Sequence, residues 1–143
     1  MDPVGGSVLN PHAVPGRGIV WGMPIELQGL RTVIYPVTDV AAAKLWWSTL
    51  LGHQPYFDQP FYVGFNVAGY ELGLLPEASP ADGALTYWGV VSVQEAMDAA
   101  IVVGAVEHSA ATEVGEGIVT GSVLTATGNV VGFIYNPHFR LPD

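Results

Sequence analysis

The sequence predicts an α+β fold made of two βαβββ modules. Three observations support this prediction: segments typical of strands and helices follow the order β, α, β, β, β twice, one polar loop at residues 77–83 separates the two series, and short stretches of the first half recur in the second. A chain of 143 residues and 15.1 kDa has room for one ordinary domain or two tightly fused half-modules. We therefore expect an irregular N-terminal arm at residues 1–29 and a single domain at 30–143, with modules at 30–76 and 84–137.

The first module begins with a strand followed by a helix. Residues 30–37 are rich in β-branched and aromatic side chains. Asp39 is placed to cap a helix over residues 40–51, which contain good helix formers, and Gly52 stands where a helix end favours a left-handed residue. Three short strands are expected after the helix, near residues 54–57, 61–67 and 70–75.

The second module repeats this order. Residues 85–91 are typical of a strand, and Ser92 with Glu95 three residues later is a capping-box signal. A helix is expected over residues 94–103, ended by Gly104. Three further strands are expected near residues 105–110, 118–125 and 129–135.

An internal repeat supports the division into modules. Residues 37–40 match residues 91–94 at an offset of 54, each segment joining a strand to a helix. Near the end of each half, residues 69–75 match residues 128–134 at an offset of 59. This second match pairs Gly73 with Gly132.

Composition limits the classes of partner. The chain has 4 Lys and Arg against 13 Asp and Glu, a formal net charge of −9, which repels phosphate backbones and anionic lipid head groups. We therefore expect neither nucleic acid nor a membrane as a partner. The absence of cysteine removes disulfides, thiolate nucleophiles and Cys-based metal sites, and makes a cytoplasmic location the default expectation.

The N-terminal arm carries no recognisable targeting signal. Residues 1–29 have no long apolar run and no basic segment followed by an apolar one, so we expect neither an anchor nor a signal peptide there. Two interpretations remain open: the compact part begins at Met23, or residues 19–21 form a short edge strand.

Three short motifs resemble the vicinal oxygen chelate superfamily, which includes glyoxalases, extradiol dioxygenases and bleomycin-resistance binding proteins. They are the V-x-D step at residues 37–39, the aromatic pair Trp46 and Trp47 shortly before Gly52, and the T-G-N turn at residues 127–129. The resemblance covers roughly residues 30–137. It implies curved mixed sheets around a cavity and, commonly, a homodimer.

The resemblance also implies where a divalent metal would bind. Enzymes of the superfamily typically use a His on the first strand of each module and an acid on the last strand. The corresponding residues here are Thr32 and Thr86 on the first strands, and Gly73 and Gly132 on the last. Because glycine offers no side-chain ligand and a threonine hydroxyl is a poor one, we expect no metal at this position and no cofactor.

Side-chain alternation gives a set of candidate ligand-binding residues. If the first strands present Thr32 and Thr86 to the cavity, Ile34 and Trp88 share that face. Glu71 has the parity of Gly73 and would enter the cavity as a lone acid. Trp47 either lines the ligand site or belongs to the core, and Trp88 is likewise either cavity wall or core. The full candidate set is Thr32, Ile34, Trp47, Glu71, Gly73, Thr86, Trp88 and Gly132.

These residues favour a binding protein. The leading hypothesis is a metal-free member of the superfamily that sequesters a hydrophobic or aromatic small molecule, in the manner of antibiotic-resistance binding proteins, with Glu71 and the negative net charge favouring a neutral or cationic guest. The alternative is an isomerase or cyclase without metal, using Glu71 as a general base; whether any catalysis occurs stays open. A third hypothesis is a metal-dependent lyase or dioxygenase with ligands from unexpected positions such as His53 or His108.

Overall fold

The computed structural model describes residues 24–142, which fold into one open, mixed sheet of eight strands and two α-helices. The α+β fold class is therefore confirmed. The expectations for residues 1–23, including a start at Met23 or an edge strand at residues 19–21, lie outside the described residues. Residues 24–29 carry no regular secondary structure.

Both modules follow the expected element order. The first comprises β1 (Leu30–Pro36), α1 (Val40–Leu51), β2 (Phe57–Gln59), β3 (Tyr62–Val67) and β4 (Tyr70–Leu75). A short 3-10 turn, Pro80–Asp82, leads into the second, which comprises β5 (Leu85–Gly89), α2 (Val93–Val102), β6 (Val106–Gly115), β7 (Ile118–Leu124) and β8 (Val130–Tyr135). Neither α-helix of residues 24–142 is long and apolar enough to cross a bilayer.

The two modules join into a single sheet at β1 and β5. The strand order is β2-β3-β4-β1-β5-β8-β7-β6. β1 runs parallel to β4, β5 runs parallel to β8, and β1 and β5 pair antiparallel with Thr32 opposite Tyr87. The expected pair of curved sheets is thus one continuous sheet.

The helix caps follow the local sequence signals. The Asp39 side chain accepts a hydrogen bond from the backbone N–H of Ala42, and the Ser92 side chain accepts one from Glu95. Gly52 adopts φ 79°, and its N–H donates to the Ser48 carbonyl. Helix α1 therefore begins and ends as expected, whereas α2 covers Val93–Val102, one residue earlier at each end than the expected 94–103.

Strand β6 is longer than the sequence suggests. We expected it to end near residue 110, yet it continues to Gly115. Its polar residues are mostly exposed, and its register against β7 shifts three times. Pairing with β7 therefore outweighs the low strand preference of this segment, as tertiary context often does.

Both helices cover the same face of the sheet and leave the opposite face open. Beneath α1 lies a core of four buried residues, Val63, Phe65, Leu72 and Leu74. Beneath α2 lies a second core that includes Met97, Val123 and Phe133. Because strand side chains alternate, residues of the other parity form the concave face, where the candidate site lies.

Candidate functional site

A cavity of about 750 Å³ occupies the concave face of the sheet. The cavity is lined by side chains of the β2–β3 hairpin, at one end of the sheet, and of strands β6 and β7, at the other end. The sheet is therefore curved around the cavity. The C-terminal segment after β8 completes the wall with His138, Phe139 and Arg140. The wall is mainly aromatic and aliphatic, with polar groups at separate points; its main lining residues are Arg31, Thr32, Ile34, Tyr56, Phe57, Phe61, Tyr62, Glu71, Tyr87, Ile118, Thr120, Ile134 and Phe139.

Glu71 forms the acidic part of the cavity together with two tyrosines. The Tyr56 hydroxyl donates to one carboxylate oxygen of Glu71, and the Tyr62 hydroxyl donates to the other at 2.5 Å. Burial, together with the Glu71 charge, raises the pKa of both tyrosines above the ordinary value, so both remain hydrogen-bond donors. The result is a carboxylate whose position is set before any guest arrives.

The two glycines on the last strands of the modules lie beneath tyrosine rings. A Cβ added at Gly73 would lie 2.6 Å from Cζ of Tyr62. A Cβ added at Gly132 would lie 2.5 Å from Cδ1 of Tyr87 and 2.6 Å from the Thr86 carbonyl oxygen. Neither glycine has a positive φ. These positions therefore need glycine for space rather than for backbone conformation, and a phenol ring takes that space in each module.

The structure brings together some of the predicted site residues. Thr32, Ile34 and Glu71 line the cavity as expected from strand parity. Gly73 and Gly132 are buried on the same face under Tyr62 and Tyr87. Whether these residues bind a ligand stays a prediction.

Three predicted residues lie elsewhere. Trp47 packs against the core beneath α1 and stacks on Tyr35, with ring centroids 5.7 Å apart. Trp88 packs against the core beneath α2, and Thr86 shares its parity on β5. The expected Trp88 wall is therefore corrected: Tyr87 lines the cavity from β5.

The sequence alignment of the two modules was shifted by one residue, which explains why Trp88 was predicted in place of Tyr87. The matched pair Val37 and Val91 gave an offset of 54. The observed helix caps, Asp39 and Ser92, differ by 53. A shift of one residue transfers every side chain of a strand to the other face, so the counterpart of Thr32 is Leu85, not Thr86.

The residues present do not fit the metal that the superfamily implies. On the corrected repeat, the first-strand positions hold Thr32 and Leu85, and leucine has no ligand atom. The last-strand positions hold Gly73 and Gly132, where an acidic side chain would collide with the tyrosine rings above them. Among residues 24–142, no three His, Cys, Asp or Glu side chains come together as a ligand set.

The histidines named as alternative ligands lie in different surroundings. His53 follows α1, and its ring lies 6.2 Å from that of Phe65. His108 on β6 hydrogen-bonds through Nδ1 to the buried Ser122 hydroxyl at 2.9 Å. Neither is a lining residue of the cavity.

Arg31 is a lining residue that is absent from the candidate set predicted from sequence. The register between β1 and β5 shifts between Leu30 and Thr32, and such a bulge redirects the side chain at that point. The Arg31 guanidinium lies over Gly89, whose added Cβ would be 2.7 Å from Nε. It also stacks on Phe139, with Cζ 3.9 Å from the ring centroid.

Solved structures share this fold. A glyoxalase/bleomycin resistance protein/dioxygenase superfamily member from Vibrio splendidus is 15% identical, with a TM-score of 0.57, 75% of this chain covered and 99% of that one. A Legionella pneumophila protein described as an NAD-dependent benzaldehyde dehydrogenase is 20% identical, with a TM-score of 0.57, 73% of this chain covered and 96% of that one. Homoprotocatechuate 2,3-dioxygenase from Brevibacterium fuscum, solved with 3,4-dihydroxyphenylacetate, is 14% identical, with a TM-score of 0.65, 83% of this chain covered and 39% of that one.

Sequence comparison adds no closer relative. No protein-family model matches the chain, and no curated protein is significantly similar to it. At identities of 14 to 20%, the structural likeness concerns the backbone arrangement. The eight-stranded sheet of two βαβββ modules in this chain has the fold of the vicinal oxygen chelate superfamily.

Proposed function

We propose that this chain binds and sequesters a hydrophobic or aromatic small molecule in its concave cavity, without a metal at the usual position of the superfamily. The observation that carries the proposal is the aromatic-walled cavity with Glu71 already held by two phenols. Its volume of about 750 Å³ is typical of sites for small organic ligands. The Vibrio splendidus neighbour, named in part for bleomycin resistance, supports a binding role by analogy of fold.

Apolar burial would supply most of the affinity. Removing about 200 Å² of a guest's apolar surface from water contributes roughly 5 kcal/mol, part of which offsets the loss of the guest's freedom. Phe57, Phe61 and Phe139 offer ring faces and edges for an aromatic guest. Glu71 would orient the guest by accepting a hydrogen bond from a hydroxyl or amino group, because each carboxylate oxygen has capacity beyond its one phenol.

The fluorescence of N-phenyl-1-naphthylamine, a neutral aromatic dye that brightens in apolar surroundings, tests the proposal. We expect saturable binding at one site per chain. Ile118→Trp, which places a larger side chain in the cavity wall, should weaken binding by about tenfold or more.

The matched control lies on the outer face of α1. Leu45 is 69% exposed there, beside the exposed Trp46, and offers the dye an alternative apolar patch. Leu45→Gln should leave binding unchanged. A dye that responds to Leu45→Gln and not to Ile118→Trp would refute binding in the cavity.

A metal-independent isomerase or cyclase is the second candidate function. The observation that favours it is a carboxylate inside an apolar cavity that accepts hydrogen bonds from two phenols. Glu71 would take a proton from a substrate carbon and return it to another atom of the same molecule. Glu71→Gln separates the candidates, because a binder keeps its affinity for an uncharged guest whereas a base-dependent enzyme loses about 10²-fold or more in turnover.

The homodimer and the cytoplasmic location belong to the same proposal. Light scattering on the purified chain tests the dimer. Fractionation of the source cells tests the location. Neither result changes the assignment of the cavity as the binding site.

A further inference from the structure

The basic side chains of this protein are few, and two of them line the cavity. The whole chain has 4 Lys and Arg against 13 Asp and Glu. Arg31 and Arg140 both line the cavity. Lys44 lies outside it on α1 and pairs with Asp58 at 2.9 Å. Of the three Lys and Arg residues among residues 24–142, two therefore line the cavity of a strongly acidic protein.

The local structure holds the Arg31 guanidinium in place. The bulge in β1 brings its side chain over Gly89, and Gly89 has no side chain that would block it. Phe139 covers one face of the guanidinium at 3.9 Å. Stacking does not use the N–H groups, which point outward in the plane of the guanidinium and can donate to an anion.

Glu71 does not neutralise this arginine. Its carboxylate lies near Gly64 on β3, with Oε2 3.4 Å from the position of an added Cβ, whereas the Arg31 guanidinium lies over Gly89 on β5. Strands β4 and β1 lie between β3 and β5 in the sheet. The one ion pair between side chains of residues 24–142 is that of Lys44 with Asp58. The cavity therefore has an acidic pole at Glu71 and a basic pole at Arg31.

We propose that the cavity selects an aromatic carboxylate, whose carboxylate binds at the basic pole formed by Arg31 and whose ring lies against the aromatic wall. This inference rests on the proposed binding function and narrows its ligand class. It replaces the neutral or cationic guest expected from Glu71 and the negative net charge. The reason is that a guanidinium fork within hydrogen-bond reach acts on a bound carboxylate more strongly than distant surface charges, which salt screens.

Two isosteric probes test the charge preference. 1-Naphthaleneacetate and 1-naphthaleneacetamide have the same aromatic body and differ in whether the end group is anionic. By titration calorimetry on the full chain, we expect the acetate to bind about tenfold or more tightly than the acetamide, as charge-assisted hydrogen bonds do. Arg31→Gln should weaken acetate binding by about tenfold and change acetamide binding by less than about threefold.

Lys44→Gln is the matched control, because it removes the same charge from the outer side of the molecule. It should change the affinity of either probe by no more than about twofold, since salt screens a distant charge. Arg31→Lys is the second variant: it keeps the charge without the fork, so acetate affinity should fall between that of the parent and of Arg31→Gln. Thermal unfolding of each variant verifies that it is folded.

The outcomes separate this inference from the proposed function. Equal affinities for acetate and acetamide, or an acetate preference that survives Arg31→Gln in a folded variant, would overturn the basic pole and leave the binding function intact. If neither these probes nor N-phenyl-1-naphthylamine bound the cavity, both the binding function and the inference would fall.

Discussion

Gly73 stands where the superfamily resemblance implies an acidic metal ligand, and the Tyr62 ring lies over it. Substituting Gly73 by Ala tests this packing. Gly73 has no positive φ, so alanine can adopt its backbone conformation without strain. The added Cβ would lie 2.6 Å from Cζ and 2.8 Å from Cε1 of Tyr62. The ring must therefore move, and its hydroxyl would lose the hydrogen bond to Glu71.

The expected change in the free energy of unfolding combines two destabilising contributions and one stabilising contribution. Overpacking a well-filled site costs about 1–3 kcal/mol. Losing a hydrogen bond to a charged group costs about 1.5–3 kcal/mol. Replacing a glycine in a strand returns about 0.5–1 kcal/mol. We expect the free energy of unfolding to fall by about 2–4 kcal/mol, a decrease in Tm of roughly 6–12 °C for a chain of this size.

A double-mutant cycle with Tyr62→Leu tests whether the destabilisation by Gly73→Ala comes from contact with the Tyr62 ring. Leucine is shorter than tyrosine, so in that background Gly73→Ala should be neutral or slightly stabilising. Urea unfolding of the four proteins should give a coupling energy of about 2 kcal/mol or more. The reasoning is refuted if Gly73→Ala stabilises the parent protein, or if it costs the same in both backgrounds.

The remaining predictions concern the other glycine, the acid and the tyrosines. Gly132→Ala should be more destabilising than the first-module substitution, because its Cβ would meet a backbone carbonyl at 2.6 Å as well as the Tyr87 ring; urea unfolding measures this. Glu71→Gln should lower the free energy of unfolding by about 1–3 kcal/mol, since an amide accepts the two phenols less well than a carboxylate. The pKa values of Tyr56, Tyr62 and Tyr87 are raised by burial. The folded protein therefore holds their protons more tightly than the unfolded chain, so their contribution to stability is full below pH of about 10 and is lost as pH rises further.

Each of these predictions has a contrary result. A tyrosinate absorbance titration in which all six tyrosines of the native chain ionise together near pH 10 would contradict the raised pKa values. A Gln variant at position 71 as stable as the parent would show that the two phenols contribute nothing there. If Tyr87→Leu fully rescued the Gly132 variant, the backbone contact would not be the source of its cost.

Local chemistry made most of the fold predictable. Asp39, Gly52 and Ser92 mark helix ends through hydrogen bonds to residues three or four positions away, so the signal lies within a few residues of sequence. The long β6 strand was less predictable, because its pairing with β7 is a tertiary contact.

Strand residues of the candidate site were predictable in the first module, apart from Arg31, and were shifted by one residue in the second. Strand parity placed Thr32, Ile34 and Glu71 correctly, because β1 and β4 keep a regular register. In the second module, aligning valines instead of capping side chains moved the pattern by one residue and exchanged Tyr87 for Trp88. Aligning Asp39 with Ser92 by their capping role would have avoided this error.

Arg31 could not be placed from sequence. Its parity on β1 puts it on the helix-covered face, and only the register shift turns it to the other side. A bulge depends on how two strands that are distant in sequence pair with each other. The residues next to Arg31 carry no signal of this pairing. The glycine at position 89 was the one available signal, since a close approach of another group explains glycine within a strand.

The antiparallel join of β1 to β5 decides how the protein behaves on dilution. Because that join lies within one polypeptide, each chain carries an entire compartment with walls from both halves. At a fixed free concentration of guest, occupancy should then saturate at one guest for every chain and be independent of protein concentration, whatever the state of association.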